Sequence, residues 1–433
     1  MTSDSTEAAP DGVLARIIVA RKEEVPAVVG GFVLFFLLFA SYFMLRPVRE
    51  TFGIAGGVDN LQWLFLGTFL ATLVVVPIYG LLSARLPRRT LLPVTYIGSG
   101  LIMAGFAFSL IADPDNVWIG RAFYIWVSVF NLFVISIAWS LMADLFTSEQ
   151  GRRLFGQIAA GMSMGGLTGP LLSGLLVEPL GLAGLLLLST ALLLSTLLCV
   201  RYLLAWRDRQ GALDAPEAST RPIGGSIWAG LALILKSPYL LAISLFVILL
   251  TSVSTFLYFE QARVVEAVFP DRVQQTQVFS AIDVVVQSLT IFVQLFFTGR
   301  IARRLGVTVL LTAVPLMMML GFGALAIAAT FPVLAVVMVV RRVGEYALVR
   351  PGREMLFTAV DIETKYKAKN VIDTFVYRGG DAISAWANAG LVAVGSTALA
   401  AIVGAIIAGL WALTGLFIGR RDRARQKPGA AAG

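Results

Sequence analysis

Long apolar runs separated by short polar turns recur along the whole chain. Twelve can be placed, at roughly 26–45, 61–82, 90–112, 117–142, 154–176, 180–203, 228–258, 274–298, 307–329, 331–349, 367–390 and 396–418. A helix of ~20 apolar residues spans a hydrocarbon layer of ~30 Å, and in lipid only helices and closed barrels satisfy their own backbone. The pattern predicts an all-α membrane protein with 12 transmembrane helices. Lys236-Ser237-Pro238 interrupts the seventh run, and the residue before a proline is biased away from helix, so that run reads as one piece or two. The stretch 204–226, rich in Pro, Gly, Ser and charge, reads as a cytoplasmic linker. The expected division is an N-terminal tail 1–24, a six-helix bundle 25–203, the linker, a second six-helix bundle 227–420 and a basic tail 421–433. The first run starts near Val25 with no small-residue cleavage site after it, which reads as a retained helix rather than a signal peptide.

The two halves echo each other. GLLSARL (Gly80 to Leu86) returns as GRIARRL (Gly299 to Leu305), an offset of 299 − 80 = 219. Asp144, Thr147 and Arg152 return as Asp361, Thr364 and Lys369, each 217 later, and Arg46 returns as Arg263 at the same offset. Three coincidences near half the chain length point to two homologous, pseudo-symmetric bundles. Parallel repeats of this kind resemble the major facilitator architecture, whose substrate site lies between the halves near the bilayer midplane.

Composition narrows the function. Hydrophobic residues make up 58% of the chain against 14% charged, with a mean hydropathy of +0.84, which excludes a water-soluble globular domain. The net charge of +8 does not call for nucleic acid, because the basic residues sit in short turns. Of the 34 Lys and Arg, 26 fall on one side of the predicted membrane, five on the other (Arg46, Arg49, Arg121, Arg263, Arg272), and three within it (Arg341, Arg342, Arg378). By the positive-inside rule both termini are cytoplasmic, in a bacterial-type inner membrane. The chain has no histidine, the commonest transition-metal ligand and near-neutral proton switch. The single Cys199 forms no internal disulfide and reads as packing. No cofactor or metal is expected, and soluble-enzyme motifs are absent.

Candidate chemistry therefore rests on charges inside the apolar runs, which cost roughly 2.5–3.5 kcal/mol each at mid-bilayer on insertion scales and usually face a bundle interior. The stretch Arg341 to Asp381 is the densest. Arg342 and Glu345 are three apart and can pair on one face, while Arg341 points about 100° away from Arg342. On the next helix Lys369 and Asp373 share a face with Tyr377, and Arg378 can pair with Asp381. Either these side chains line a pathway or they pair internally. RPVRETFG, Arg46 to Gly53, ends the first run; Arg46 and Arg49 offer forks suited to carboxylate or phosphate, and Arg49 with Glu50 is alternatively an outer-loop ion pair. Asp283 and Gln287 share a face of run eight, where Asp283 is either a proton or cation acceptor or a structural aspartate. Tyr124, Ser128 and Asn131 form a modest polar face in run four. In GMSMGGLTGP, Gly161, Gly165 and Gly169 recur every four residues and allow close helix packing, with Pro170 able to kink the helix.

Two of these stretches resemble the ATP/ADP translocase family of plastids and obligate intracellular bacteria, a distant branch of the major facilitators. Arg46-Pro47-Val48-Arg49-Glu50-Thr51 is similar to that family's Arg-Asp-x-Lys-Asp-Thr string. Tyr346 to Met355 resembles its Tyr-Ser-Leu-Phe-Asp-Pro-Thr-Lys-Glu-Met stretch, and the Asp361, Glu363, Lys365, Lys367, Lys369, Ile372 and Asp373 that follow resemble its Asp-x-Glu-x-Lys-x-Lys-x-Lys-x-x-Ile-Asp string. The resemblance implies exchange of ATP for ADP, or nucleotide import with protons, with Arg49, Lys367 and Lys369 contacting phosphate. Ser128 stands where the family has a glutamate, and Glu345 where it has a lysine.

The expectation is a secondary transporter of an organic anion, nucleotide or otherwise phosphorylated, acting as a monomer in the bilayer. Arg46, Arg49, Arg341, Lys367, Lys369 and Arg378 would bind substrate, and Glu50, Asp283, Glu345 and Asp373 would couple or pair. The alternative is a proton-coupled exporter with Asp283, Glu345 or Asp373 taking the proton. A non-transporting membrane sensor and an intramembrane enzyme are weaker readings.

Overall fold

The computed structural model describes residues 20–209, 227–357, 360 and 362–426, and every regular element in them is helical. The expected tails at 1–19 and 427–433, the linker residues 210–226 and Asp361 lie outside them, as does the side chain of Thr364.

Eight stretches are long and apolar enough to cross a membrane. Two of them reverse direction within one continuous run. Ser148–Arg209 breaks at Gly181 (φ 66°) and Arg272–Ile327 breaks at Gly306 (φ 78°). Both glycines occupy the left-handed region that a Cβ would strain. Two further rods, 331–356 and 362–394, carry buried charge and are interrupted by π-helical segments. Among the described residues the protein is therefore twelve membrane-length rods. They are labelled α1 (Val25–Ala55), α2 (Leu61–Arg85), α3 (Arg88–Ala112), α4 (Val117–Leu145), α5 (148–180), α6 (182–209), α7 (Pro238–Val268), α8 (272–305), α9 (307–327), α10 (331–356), α11 (362–394) and α12 (Thr397–Gln426).

Local sequence sets the boundaries. Ser237 accepts from the Leu240 amide and Pro238 takes the first helical position, so run seven is two pieces, a short helix Ile227–Lys236 and then α7. Thr147 and Gln150 cap α5 reciprocally, as side-chain acceptor and amide donor in turn. Three boundaries differ from expectation. α1 runs past 45 to Ala55 with Pro47 inside it, so Arg46, Arg49 and Glu50 are helical rather than in an outer loop. α6 continues past 203 to Arg209, and α12 past 420 to Gln426. Charge at those ends had read as loop, but a helix protruding from the bilayer keeps its backbone bonds whatever its side chains.

Two apolar cores result. One is built from residues between Ala27 and Leu203, the other from residues between Ile234 and Ile418. A smaller cluster including Ile54, Leu64, Tyr124, Phe259, Val265 and Phe279 joins them at the end away from the termini. There Trp63 meets Trp386 edge-on (4.8 Å between centroids), Phe65 meets Tyr258, and Arg272 donates to the Pro114 carbonyl at 2.7 Å.

In the first half α1 and α5 run parallel with backbones nearly touching. A Cβ on Gly161, Gly165 or Gly169 would collide with the carbonyls of Phe32, Phe36 and Ala40 respectively. α6 closes the group through reciprocal bonds, Ser41 to the Ser189 carbonyl and Ser189 to the Ser41 carbonyl, each 2.9 Å. Gly165→Ala should lower the melting temperature in detergent, at a cost of about 1–3 kcal/mol for overpacking, whereas Gly156→Ala, with open space around its Cβ position, should leave it unchanged.

Candidate functional site

Between the two cores lies a cavity of about 740 Å³, lined by α1, α4, α7, α8, α10 and α11 with smaller contributions from α2 and α5. Its lining follows helical periodicity. On α8 Asp283, Gln287, Thr290, Ile291 and Gln294 form one face, and on α10 Met338, Arg341, Arg342, Glu345 and Tyr346 form another. Lining residues toward the terminus-bearing end, Ser136, Gln294 and Arg350, are exposed, while the opposite end is shut by the aromatic contacts above.

Six arginines and four carboxylates line this space. Arg49 is clamped on three sides: Nη2 donates to Glu50 at 2.6 Å, Nη1 to the Ser128 hydroxyl at 3.3 Å, and the guanidinium lies over the Tyr124 ring, 4.9 Å from its centroid. Arg46 donates to the Tyr346 hydroxyl at 3.3 Å and stands 3.8 Å from Asp283. Arg341 donates to Ser254 and Glu345, both at 2.8 Å. Arg342 pairs tightly with Asp283. Arg378 donates to the Ser128 carbonyl at 3.1 Å and stands 3.7 Å from Asp381, which also accepts from Thr255.

Several of these contacts join one half to the other, namely Arg46 with Tyr346 and Asp283, Arg378 with Ser128, Tyr124 with Tyr258 at 3.1 Å, and Thr51 with Thr276 at 2.8 Å. Donor capacity is left over: the Nε atoms of Arg49 and Arg341 and both Nε and Nη2 of Arg342 are buried without a partner. A planar fork with spare donors in a low-dielectric space suits an oxyanion.

The structure gathers Arg46, Arg49, Glu50, Asp283, Arg341, Glu345 and Arg378 around one cavity. It corrects three expectations. Arg342 pairs with Asp283 rather than with Glu345, which takes Arg341 one turn back. Asp373 does not share a lining face with Lys369; it pairs with Arg353 at 3.0 Å, and Lys369 pairs with Glu354 at 2.5 Å. Lys367, near the short helix Ile227–Lys236 through its carbonyl, is also off the cavity lining. Arg263, the repeat partner of Arg46, bonds Glu260 and Asn388 and does not line the cavity. The lysines and Asp373 lie toward the terminus-bearing end of α11, where a charge reaches water and needs no cavity. Asp381 and Tyr346 were not singled out as site residues, though Arg342 to Tyr346, and Tyr377 to Asp381, are both four-residue steps along one helix face.

The arrangement of two helical bundles around a polar chamber has close parallels. The model of the Major Facilitator Superfamily matches residues 27–351. The chain belongs to the major facilitator superfamily. It is a multi-pass membrane transporter, and its family is one of carriers rather than enzymes. A multidrug resistance protein, MdtG, from Yersinia enterocolitica is 26% identical over 165 residues, covering 36% of this chain and 38% of that protein. Among solved structures, a variant of the nucleoside transporter NupG has a TM-score of 0.61 at 13% identity, covering 92% of this chain and all of the other. A POT family transporter in complex with 5-aminolevulinic acid gives 0.65 at 12%, covering 93% and 97%. A bacterial homologue of the lysosomal transporter Spinster gives 0.60 at 14%, covering 95% and 100%. At these identities the structural likeness establishes the fold alone.

Removing Arg342 leaves the buried Asp283 with only the looser Arg46 contact at 3.8 Å. Arg342→Leu should destabilise the carrier by about 3–5 kcal/mol, and the double change with Asp283→Leu should restore most of that; thermal unfolding in detergent compares the three proteins.

Proposed function

We propose that this facilitator carries an organic anion, a nucleotide or another phosphorylated metabolite, by alternating access between the two sides of a bacterial-type inner membrane with both termini cytoplasmic. The carrying observation is the charge of the cavity: six arginines against four carboxylates, with buried guanidinium donors unpartnered. An anion entering from the open, terminus-bearing end meets a positive surplus in a space where water no longer screens it. Arg46, Arg49, Arg341, Arg342 and Arg378 are the proposed contacts. Arg46 and Arg49 come from the first half and the other three from the second, so a bound anion draws the halves together. The aromatic contacts at the opposite end would then part to release it. The resemblance of Arg46 to Thr51 and of the Asp361 to Asp373 string to the ATP/ADP translocases supports a phosphorylated substrate.

A second reading, export of a small apolar compound coupled to protons, is favoured by the multidrug relative. The positive surplus opposes a cationic cargo.

Proteoliposomes containing the full chain test both readings, with labelled phosphate, ADP, ATP and citrate on one side and a drug-like dye on the other arm. Saturable anion uptake is expected, falling tenfold or more in Arg49→Ala, since hydrogen bonds to charged groups contribute about 1.5–3 kcal/mol. Lys369→Ala should stay within about twofold, because a half-exposed pair contributes ~0–1 kcal/mol. Dye movement driven by a pH gradient, with no anion uptake, would replace the first reading with the second.

A further inference from the structure

Asp283 holds a position unlike that of the other cavity carboxylates. Glu50, Glu345 and Asp381 each pair with an arginine on their own helix, at Arg49, Arg341 and Arg378. Asp283 sits on α8 between two guanidiniums on other helices, with Oδ1 against Arg342 of α10 and Oδ2 3.8 Å from Arg46 of α1. It is 3% exposed, and its Oδ2 has no hydrogen-bond partner, the Arg46 contact being longer than a hydrogen bond. Arg342, 4% exposed, likewise keeps Nε and Nη2 buried with no hydrogen-bond partner. One carboxylate thus serves two arginines from opposite halves and satisfies neither completely.

We propose that Asp283 is a tethered counter-ion, standing in the empty carrier where an anionic group of the substrate docks, and that the substrate competes with it for Arg46 and for the spare donors of Arg342. The proposal rests on the anion-carrier reading above and assigns that reading its regulating residue. Arg46 is the arginine given up, because its 3.8 Å contact is the looser of the two, while Arg342 keeps Asp283 and offers its unused edge. A bound anion thereby takes a guanidinium of the first half away from a carboxylate of the second. Asp283 lowers the affinity for the anion and in return lets it leave: without that competitor the anion would bind more tightly and be released more slowly. It also covers part of the positive surplus while the cavity is empty, so the unloaded carrier can turn over and net uptake can proceed without strict exchange.

The experiment uses the full chain in nanodiscs and in proteoliposomes, with pyrophosphate and ATP as probes. Binding is read as thermal stabilisation, which rises with ligand concentration relative to its dissociation constant, and turnover is read as uptake. Asp283→Asn should bind the probes more tightly, roughly five- to hundredfold by the usual range of coupling between sites, and should transport them more slowly at saturation, an opposed change in affinity and rate that a merely structural aspartate does not give. Asp283→Glu should stay close to the unmodified protein in both. In an Arg46→Gln background the gain from Asp283→Asn should shrink, because the arginine set free is missing. If Asp283→Asn proves poorly folded by its ligand-free melting, the Asp283→Glu and Arg46→Gln proteins decide. Competition predicts that Arg46→Gln weakens binding while Asp283→Glu preserves both readouts; Arg46→Gln binding as well as the unmodified protein overturns it. Weaker or unchanged binding by a well-folded Asp283→Asn overturns the tethered counter-ion and leaves anion transport standing. Stabilisation of neither protein by either probe overturns the anion reading itself.

Discussion

A charge in the middle of a bilayer is tolerable only if the protein supplies what water would have supplied, and this molecule is arranged around that cost. The ten charged side chains of the cavity lie between two apolar cores, not on the lipid face. Each of the four carboxylates has an arginine within ion-pair distance. The arginines outnumber them, and the remaining need for negative charge is what gives the empty protein a use for a ligand. The same desolvation that makes an unpaired guanidinium expensive would, on the proposed reading, favour an oxyanion beside it.

The backbone bends where this charge is concentrated. α8, α10 and α11 each contain a π-helical segment, Gln294–Thr298, Glu345–Val349 and Ile372–Val376, all in the second half. A π turn widens the helix and disturbs the i to i−4 ladder, often at functional sites. Here neighbouring side chains bond its carbonyls: Gln294 donates to the Tyr346 carbonyl at 3.1 Å and Thr298 to the Ala347 carbonyl at 2.8 Å. The segment in α10 follows Arg341 and Arg342 directly and contains Glu345 and Tyr346, so it sets the spacing of four cavity residues.

Much of this was legible in the amino-acid string. Twelve rods follow from apolar run length, and the glycine row in α5 announced a close helix contact, though not that its partner is α1, because small residues at four-residue intervals leave a groove that another backbone fills. Asp283, Arg341 and Arg378 were singled out because a charge in an apolar run must face a polar interior, and Arg46 and Arg49 because two guanidinium forks close the first run. Partner choice was not legible. Arg342 lies three residues from Glu345, yet it pairs with Asp283 from another rod, since local spacing says what can meet on one helix and nothing about what a neighbouring helix presents. Lys369 and Asp373 misled for a related reason: near a membrane surface, charge is inexpensive, and its presence there says little about a chamber. The π segments leave no mark that periodicity detects, because each shifts the register by a single residue.

The glycine row in α5 has one mechanical consequence. With Gly161, Gly165 and Gly169 seating α1 directly on its backbone, the two rods have no cushion of side chains between them and can only be displaced as one piece. That piece bears Arg46 and Arg49 along one edge. Along another it bears Gly166 and Gly174, against Gln287 and Ser280 of α8. A tug on either arginine is thus delivered, without slack, to the seam between the two halves.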